Sequence, residues 1–105
     1  MKKSVLDNLD RSELTIGSIA QAHGLSPRHA QRLFAQTGTT FTEYVVEQRL
    51  LLARRLLGER QHRYSKISTI AYGAGFSDLS YFNRAFRRRF GETPSDTRVG
   101  LIGPP

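Results

Sequence analysis

The spacing of apolar residues in the first part of the chain predicts two helices joined by a tight turn. Apolar side chains recur at intervals of three and four residues in two sets, Ile16, Ile19 and Ala20, then Ala30, Leu33 and Phe34. This spacing places each set on one face of a helix. Gly24 lies between the two sets and favours the left-handed conformation that ends a helix.

The residues between these two helices fit a helix-turn-helix. Ser26 is a residue type that caps exposed amides, and Pro27 suits the first position of a helix. Ala20 is small where the two helices have to cross, and Leu25 closes the turn with an apolar side chain. A small residue, a glycine turn and an apolar plug at this spacing are typical of a DNA-binding helix-turn-helix.

The same pattern occurs a second time. Residues 18–26 read SIAQAHGLS and residues 69–77 read TIAYGAGFS, nine aligned positions with four identities at an offset of 51. Beyond the turn the offset becomes 52, which predicts one extra residue before the second helix of the second copy. In this second copy the apolar face of the first helix is formed by Ile67, Ile70 and Ala71. Gly75 and Phe76 form the turn, and the second helix carries an aromatic core stripe of Phe82, Phe86 and Phe90. We therefore predict two helix-turn-helix units.

A long helix is predicted between the two units, from Thr40 to Leu57. Thr40 and Glu43 form a capping box at its start, and Gly58 is the expected stop. Two apolar stripes run along this helix, so it has to be covered from more than one direction. Its length of roughly 27 Å is compatible with two units placed about one DNA turn (~34 Å) apart.

The predicted fold class is therefore all-α, with two helix-turn-helix subdomains joined by a long central helix. The first subdomain is expected at residues 1–39, the linker helix at 40–57, the second subdomain at 58–100 and a disordered tail at 101–105. A short helix capped by Ser4 is expected at residues 4–7, and Thr93 is expected to begin another helix. The tail LIGPP has little to hold it.

Charge indicates the kind of partner. Sixteen Lys and Arg against nine Asp and Glu give a net charge of +7, and thirteen of the sixteen are Arg. Residues 1–52 carry six basic and five acidic side chains, whereas residues 53–105 carry ten and four. Such an excess on a small domain favours nucleic acid or an anionic membrane surface, and arginine suits guanine and phosphate. We predict that the partner is double-stranded DNA.

Composition excludes several other classes of protein. The chain has no cysteine, which excludes disulfides and thiolate catalysis and fits a reducing cytosol. His23, His29 and His62 do not form a ligand pair at helical spacing, so we expect no metal and no cofactor. The start MKKSVLDNLD lacks a signal-peptide segment, and no apolar run approaches about 18 residues. We expect a cytoplasmic protein with no membrane partner and no enzymatic activity.

The outer faces of the two second helices supply the candidate base contacts. Opposite the apolar face, the first copy carries Arg28, Gln31 and Arg32, and the second carries Leu79, Ser80, Asn83 and Arg84. Arginine reads guanine edges, Gln and Asn read adenine, and leucine suits a thymine methyl group. The alternative is a polar face that is merely solvated. The prediction of base reading is strongest for Arg32 and Arg84, because an arginine recurs at the same place in both copies.

Other basic residues are candidates for phosphate contacts. Arg87, Arg88 and Arg89 form a run that cannot all face one groove, so phosphate is the more plausible ligand for them. His29 either contacts phosphate or covers its helix. Five further basic residues could also line the DNA backbone, but their positions alone do not separate this role from that of solubilising charges: Arg54, Arg55, Arg60, Arg63 and Lys66.

The stretch AYGAGFSDLSYFNRAFRRRFGETPSDTR (residues 71–98) closely resembles the signature of the AraC/XylS family of bacterial transcription regulators, and the resemblance extends over residues 14–98. It implies about seven helices, with two helix-turn-helix subdomains that bind adjacent segments of major groove. By position, it carries the family's base-reading residues to Arg28, Gln31, Arg32, Leu79, Ser80, Asn83 and Arg84. The chain departs from the family at Thr97, where Tyr is usual, which predicts looser packing of the last helix.

The resemblance also implies parts and partners beyond this domain. Most family members carry an effector-binding or dimerisation domain, commonly ahead of the DNA-binding part, so we expect a fragment of such a regulator. A compact stand-alone regulator is the alternative. RNA polymerase is the implied protein partner, and activation is the commoner outcome in the family. The function predicted is sequence-specific DNA binding, with a protein-interaction module of only non-specific DNA affinity as the alternative.

Overall fold

Helices account for all the regular structure that is described. The computed structural model describes residues 1–11 and 13–104, and these form seven α-helices: α1 (Lys2–Asp7), α2 (Ile16–Ala22), α3 (Pro27–Ala35), α4 (Phe41–Leu57), α5 (Ile67–Gly73), α6 (Leu79–Phe90) and α7 (Pro94–Ile102). A short 3-10 turn covers Arg60–His62. The described residues include no strand, and the predicted all-α fold is confirmed. None of the helices in these ranges has the length and apolar character needed to cross a membrane.

The chain divides into two compact units, residues 1–48 and 49–105. The division falls inside α4, so the first half of this helix belongs to the first unit and the second half to the second unit. The predicted subdomain boundaries, and the role of α4 as a linker, stay predictions.

Phe34 is the centre of the core in the first unit. Its side chain is 2% exposed, and its ring centroid lies 5.5 Å from that of Phe41 and 5.8 Å from that of Tyr44. The Phe41 ring meets it edge-on, an arrangement that aromatic quadrupoles favour. These contacts hold the end of α3 against the start of α4.

Thr40 caps the start of α4, as predicted. Glu43 N donates to Thr40 Oγ1 at 3.1 Å, which gives one free amide of the first turn an acceptor. The carboxylate of Glu43 accepts from the Thr40 hydroxyl at 3.1 Å. The helix ends at Leu57, directly before the predicted stop at Gly58.

The start of α1 differs from the prediction. The helix begins at Lys2 with Met1 at the cap position and no side-chain cap, so Ser4 lies inside the helix and the predicted cap is wrong. Ser4 Oγ instead shares a hydrogen bond of 2.8 Å with His23 Nε2, at the end of α2. The hydroxyl is used for a contact between two helices, which the local sequence around Ser4 does not reveal.

An aromatic stripe forms the core of the second unit. Phe82 and Phe86 have no exposed surface, and their ring centroids lie 5.6 Å apart. Phe76 approaches Phe82 to 4.9 Å from one side, and Phe90 approaches Phe86 to 4.6 Å from the other. The prediction that these phenylalanines form the core is confirmed, with Phe90 half-buried at the end of the stripe.

Thr93 caps the start of α7, as predicted, and its Oγ1 accepts a hydrogen bond of 3.1 Å from Asp96 N. Thr97, which stands where a tyrosine is usual in the resembling family, is 1% exposed and donates to Glu92 Oε1 at 2.8 Å. The buried hydroxyl therefore has a hydrogen-bond acceptor, as a buried polar group requires.

Two arginines connect α7 to the turn that precedes α5. Arg63 Nη2 donates to Ile102 O at 3.1 Å, and Arg98 Nη1 donates to Ser65 O at 2.6 Å and to His62 O at 3.3 Å. A cation at the last carbonyls of a helix also interacts favourably with its dipole. Helical structure consequently reaches Ile102, two residues into the segment for which disorder was predicted, while residue 105 of that segment lies outside the described residues.

We expect Arg98→Ala to lower the free energy of unfolding by about 2 kcal/mol, because two carbonyl oxygens lose a charged donor. Urea unfolding followed by circular dichroism measures the change. Arg60→Ala is the matched control: Arg60 is exposed, and its loss is expected to change the same quantity by less than about 0.5 kcal/mol. Equal effects of the two substitutions would contradict the role assigned to Arg98.

Candidate nucleic-acid interface

The two helix-turn-helix turns are built from the same backbone hydrogen bonds. In each turn the amide of the apolar plug donates back to the alanine that ends the buried face of the first helix, Leu25 N to Ala20 O at 2.8 Å and Phe76 N to Ala71 O at 3.0 Å. The preceding residue is Gly24 with φ 67° in one copy and Gly75 with φ 103° in the other. Residues with a Cβ rarely adopt these angles, so glycine is needed at both places. The repeat in the sequence is thus a repeat of structure.

The caps of the two second helices explain the change of offset. Ser26 Oγ accepts from His29 N at 3.1 Å and begins α3, as predicted. In the second copy Asp78 Oδ1 accepts from Tyr81 N at 2.9 Å and begins α6. The extra residue is therefore Ser77, which lies in the turn and not in the helix. Sequence reasoning did not identify Asp78, although an aspartate directly before LSYF is a usual helix start.

Because each helix starts after its own cap, the candidate base-reading residues occupy equivalent positions. Pro27 and Leu79 are the first residues of α3 and α6. The second, fifth and sixth positions are then occupied by Arg28, Gln31 and Arg32 in α3 and by Ser80, Asn83 and Arg84 in α6. All six are exposed, and none of their side chains has a hydrogen bond or ion pair to another described residue. Leu79 is half-buried.

The opposite faces of the same helices hold them in place. Ala30 and Phe34 of α3 and Phe82 and Phe86 of α6 are buried. The helix that precedes each turn carries an alanine with no exposed surface, Ala20 in α2 and Ala71 in α5. An alanine lets two helices approach closely where a larger side chain would separate them. The polar face of each second helix is therefore left to solvent or to a ligand.

The three consecutive arginines of α6 are exposed but face different surroundings. Successive residues of a helix are turned by about 100°, so the three cannot share one face. Arg87 lines a surface concavity of about 460 Å³ together with Asn83 and Arg84 and with residues 93–95 at the start of α7. The guanidinium of Arg89 instead lies over the ring of Phe90, with Cζ 4.9 Å from the ring centroid.

His29 is the remaining candidate for phosphate contact. It occupies the third position of α3, directly after Arg28, and is exposed. Its backbone amide binds the Ser26 cap, which leaves the imidazole outside the capping interaction. The other two histidines have internal partners: His23 binds Ser4, and His62 lies between Glu59 and Ser65. Within the described residues, no group of three or more His, Cys, Asp or Glu is arranged to hold a metal ion.

The net charge is distributed unequally between the units. Residues 1–48 carry five basic and five acidic side chains, whereas residues 49–105 carry eleven and four. The whole excess of +7 therefore lies in the second unit. Part of the reason is that α6 has twelve residues where α3 has nine, and the three additional residues include Arg88 and Arg89.

A helix with an exposed polar face, preceded across a tight turn by a shorter helix and occurring twice in a basic chain, is the arrangement of a DNA-binding helix-turn-helix domain. A family described as a helix-turn-helix domain matches residues 19–99. The chain belongs to this family, in its AraC type, which comprises domains of transcription regulators. The resemblance seen in the sequence is thereby confirmed.

Relatives of known annotation and structure agree with this assignment. The chain is 45% identical over 98 residues to the transcriptional activator RhrA of Rhizobium meliloti, a match that covers 93% of this chain and 31% of that protein. The chain spans about a third of the length of the curated relatives it matches.

Two solved structures are similar over most of the chain. The C-terminal domain of AraT, a response regulator from Geobacillus stearothermophilus, has a TM-score of 0.82 at 26% identity and covers 93% of this chain and 79% of its own. A transcriptional regulator with an AraC-type DNA-binding domain from Chromobacterium violaceum has a TM-score of 0.79 at 31% identity, with 96% of this chain and 91% of its own covered.

The cap that begins α6 can be tested by its contribution to stability. Asp78→Ala is expected to lower the free energy of unfolding by about 1 kcal/mol, because the amide of Tyr81 loses its acceptor. Asp78→Asn keeps a capping oxygen and is expected to lose less than half as much. Denaturant unfolding of both variants measures the difference. If the two variants are destabilised equally, the carboxylate acts through its charge and not as a cap.

Proposed function

We propose that the chain binds double-stranded DNA sequence-specifically as part of a transcription regulator, with α3 and α6 inserted in adjacent segments of the major groove. The observation that carries this proposal is the equivalence of the two helices: the same three positions of each carry exposed polar side chains without an internal partner. The proposed base-reading residues are Arg28, Gln31, Arg32, Leu79, Ser80, Asn83 and Arg84.

The chemistry of these side chains supports base reading. Arginine donates two parallel hydrogen bonds to O6 and N7 of guanine, which suits Arg32 and Arg84, while Gln31 and Asn83 match N6 and N7 of adenine. Because these side chains make no internal hydrogen bonds, they exchange only water for the base edge when they bind. Leu79 offers an apolar surface at the start of α6 for a thymine methyl group.

Phosphate contacts are proposed for His29, Arg87 and Arg88, which are exposed and lie on the two recognition helices. Neutralising phosphates releases condensed cations, so each such contact makes affinity more dependent on salt. Since the net charge of the chain lies in the second unit, we infer that the second unit contributes most of this salt-dependent term. The phosphate contact of Arg89 and the contact with RNA polymerase stay predictions.

Substitution of the recurring arginines tests base reading. Arg32→Ala and Arg84→Ala are each expected to weaken binding to a selected site by about 1–3 kcal/mol and to relax the preference at one base pair. The site is obtained by selection from random duplex DNA, and affinity is measured by fluorescence anisotropy. The matched control is Arg60→Ala, which removes the same charge from an exposed position outside the recognition helices.

Selection at two salt concentrations separates this proposal from a protein-interaction module. Base reading predicts a consensus sequence that persists when salt is raised. A module with only non-specific affinity predicts no consensus and binding that vanishes with salt. If neither arginine substitution changes affinity or preference beyond the Arg60→Ala control, the assigned recognition faces are wrong.

Arg87→Ala is expected to act differently from Arg84→Ala. Loss of a phosphate contact weakens binding to all sequences about equally and reduces the slope of log affinity against log salt by about 1. Titrations of the selected site and of an unrelated duplex, at four or more salt concentrations, measure both quantities. A change of base preference with an unaltered slope would instead make Arg87 a base-reading residue.

A further inference from the structure

The second half of α4 has an exposed face that DNA reading does not use. Leu51 is 41% exposed, and Arg54 and Arg55, three and four residues later, are exposed as well. Residues at these spacings lie on one face of a helix. No acidic side chain occurs in residues 49–57, so no carboxylate of this stretch neutralises the two arginines.

The same surface continues onto α7. A Cβ placed on Gly58 would lie 3.3 Å from Leu101 Cδ1, so Leu101 rests directly against the backbone at the end of α4. Gly58 follows Leu51 by seven residues, about two helical turns, and extends the same face. Leu101 is itself 42% exposed. Two exposed leucines therefore lie at the two ends of a pair of arginines. We call Leu51, Arg54, Arg55 and Leu101 the α4 patch.

The ring of Phe90 lies beside this patch and contacts one of its arginines. The guanidinium carbon of Arg54 lies 5.7 Å from the ring centroid, and that of Arg89 lies 4.9 Å from it. The ring attracts both cations through its negative face, which holds Arg54 in a defined place.

The composition of the patch favours a protein partner over DNA phosphate. Arg89 follows Arg87 by two residues, a turn of about 200° around α6, which separates it from the concavity lined by Asn83, Arg84 and Arg87. Leucine side chains gain nothing from phosphates, which are contacted by polar and charged groups. A polypeptide that carries both carboxylates and apolar side chains complements both parts of the patch.

We propose that the α4 patch binds an acidic amphipathic segment of a partner protein. Carboxylates of that segment pair with Arg54 and Arg55, while its apolar side chains cover Leu51 and Leu101. The charge complementarity of the patch identifies the class of partner. The α4 patch shares no residue with the proposed base-reading faces.

A synthetic peptide tests the proposal on the full 105-residue chain. The probe is a labelled peptide in which glutamates and leucines alternate at helical spacing, and its binding is followed by fluorescence anisotropy. Arg55→Gln and Leu51→Ser are each expected to weaken binding by about threefold to fivefold, and together by about tenfold or more. Arg60→Gln removes the same charge outside the patch and is expected to leave binding unchanged. Arg54 is not substituted because it also lies against the ring of Phe90. Thermal unfolding checks that the Arg55→Gln and Leu51→Ser variants are folded.

Three results would overturn the proposal. The first is equal binding of a peptide with the same number of glutamates and no leucine, which indicates simple attraction of anions. The second is an unchanged affinity for the glutamate–leucine peptide in Leu51→Ser. The third is that Arg55→Gln weakens site-specific DNA binding as much as it weakens peptide binding. That result would indicate that the patch contacts DNA phosphates. Arg84→Ala should lose DNA affinity and keep peptide binding, so this proposal and the proposed function fail separately.

Discussion

The close crossing of two helices in each unit is the constraint on which the rest of the structure depends. Ala20 and Ala71 have no exposed surface at these crossings, and the amides of Leu25 and Phe76 bond back to them across a left-handed glycine. Because the inner face of the second helix is occupied in this way, its outer face is fixed in direction before any ligand arrives. A helix that is already oriented loses little conformational entropy when it binds a ligand.

Local patterns in the sequence predicted much of this arrangement. The apolar spacing identified the helices of both units, and the caps at Ser26, Thr40 and Thr93 follow from residue type and position alone. What the sequence did not reveal depends on partners that are distant along the chain. Ser4 bonds to a histidine nineteen residues away, and Arg63 supports Ile102 from thirty-nine residues away. The position of Arg89 over Phe90 likewise depends on packing. Sequence alone therefore assigns one role to all three arginines, although their surroundings differ.

The two units share a backbone design and differ in charge. The first is neutral in formal charge, with five basic and five acidic residues, and the second carries the full excess. Direct reading of bases and attraction to phosphates are different physical effects, since one depends on geometry and the other on ionic strength. A chain built in this way has two equivalent exposed polar faces and an uneven distribution of net charge.

The place of the extra residue in the second turn has a practical consequence. Within a helix, one inserted residue rotates everything that follows by about 100°. Ser77 lies before the Asp78 cap instead, so the register of α6 is counted from its own start and matches that of α3. The exposed faces of these helices are therefore equivalent in register. We expect that the residues at positions 28, 31 and 32 can replace those at positions 80, 83 and 84 without a change in the backbone of either turn.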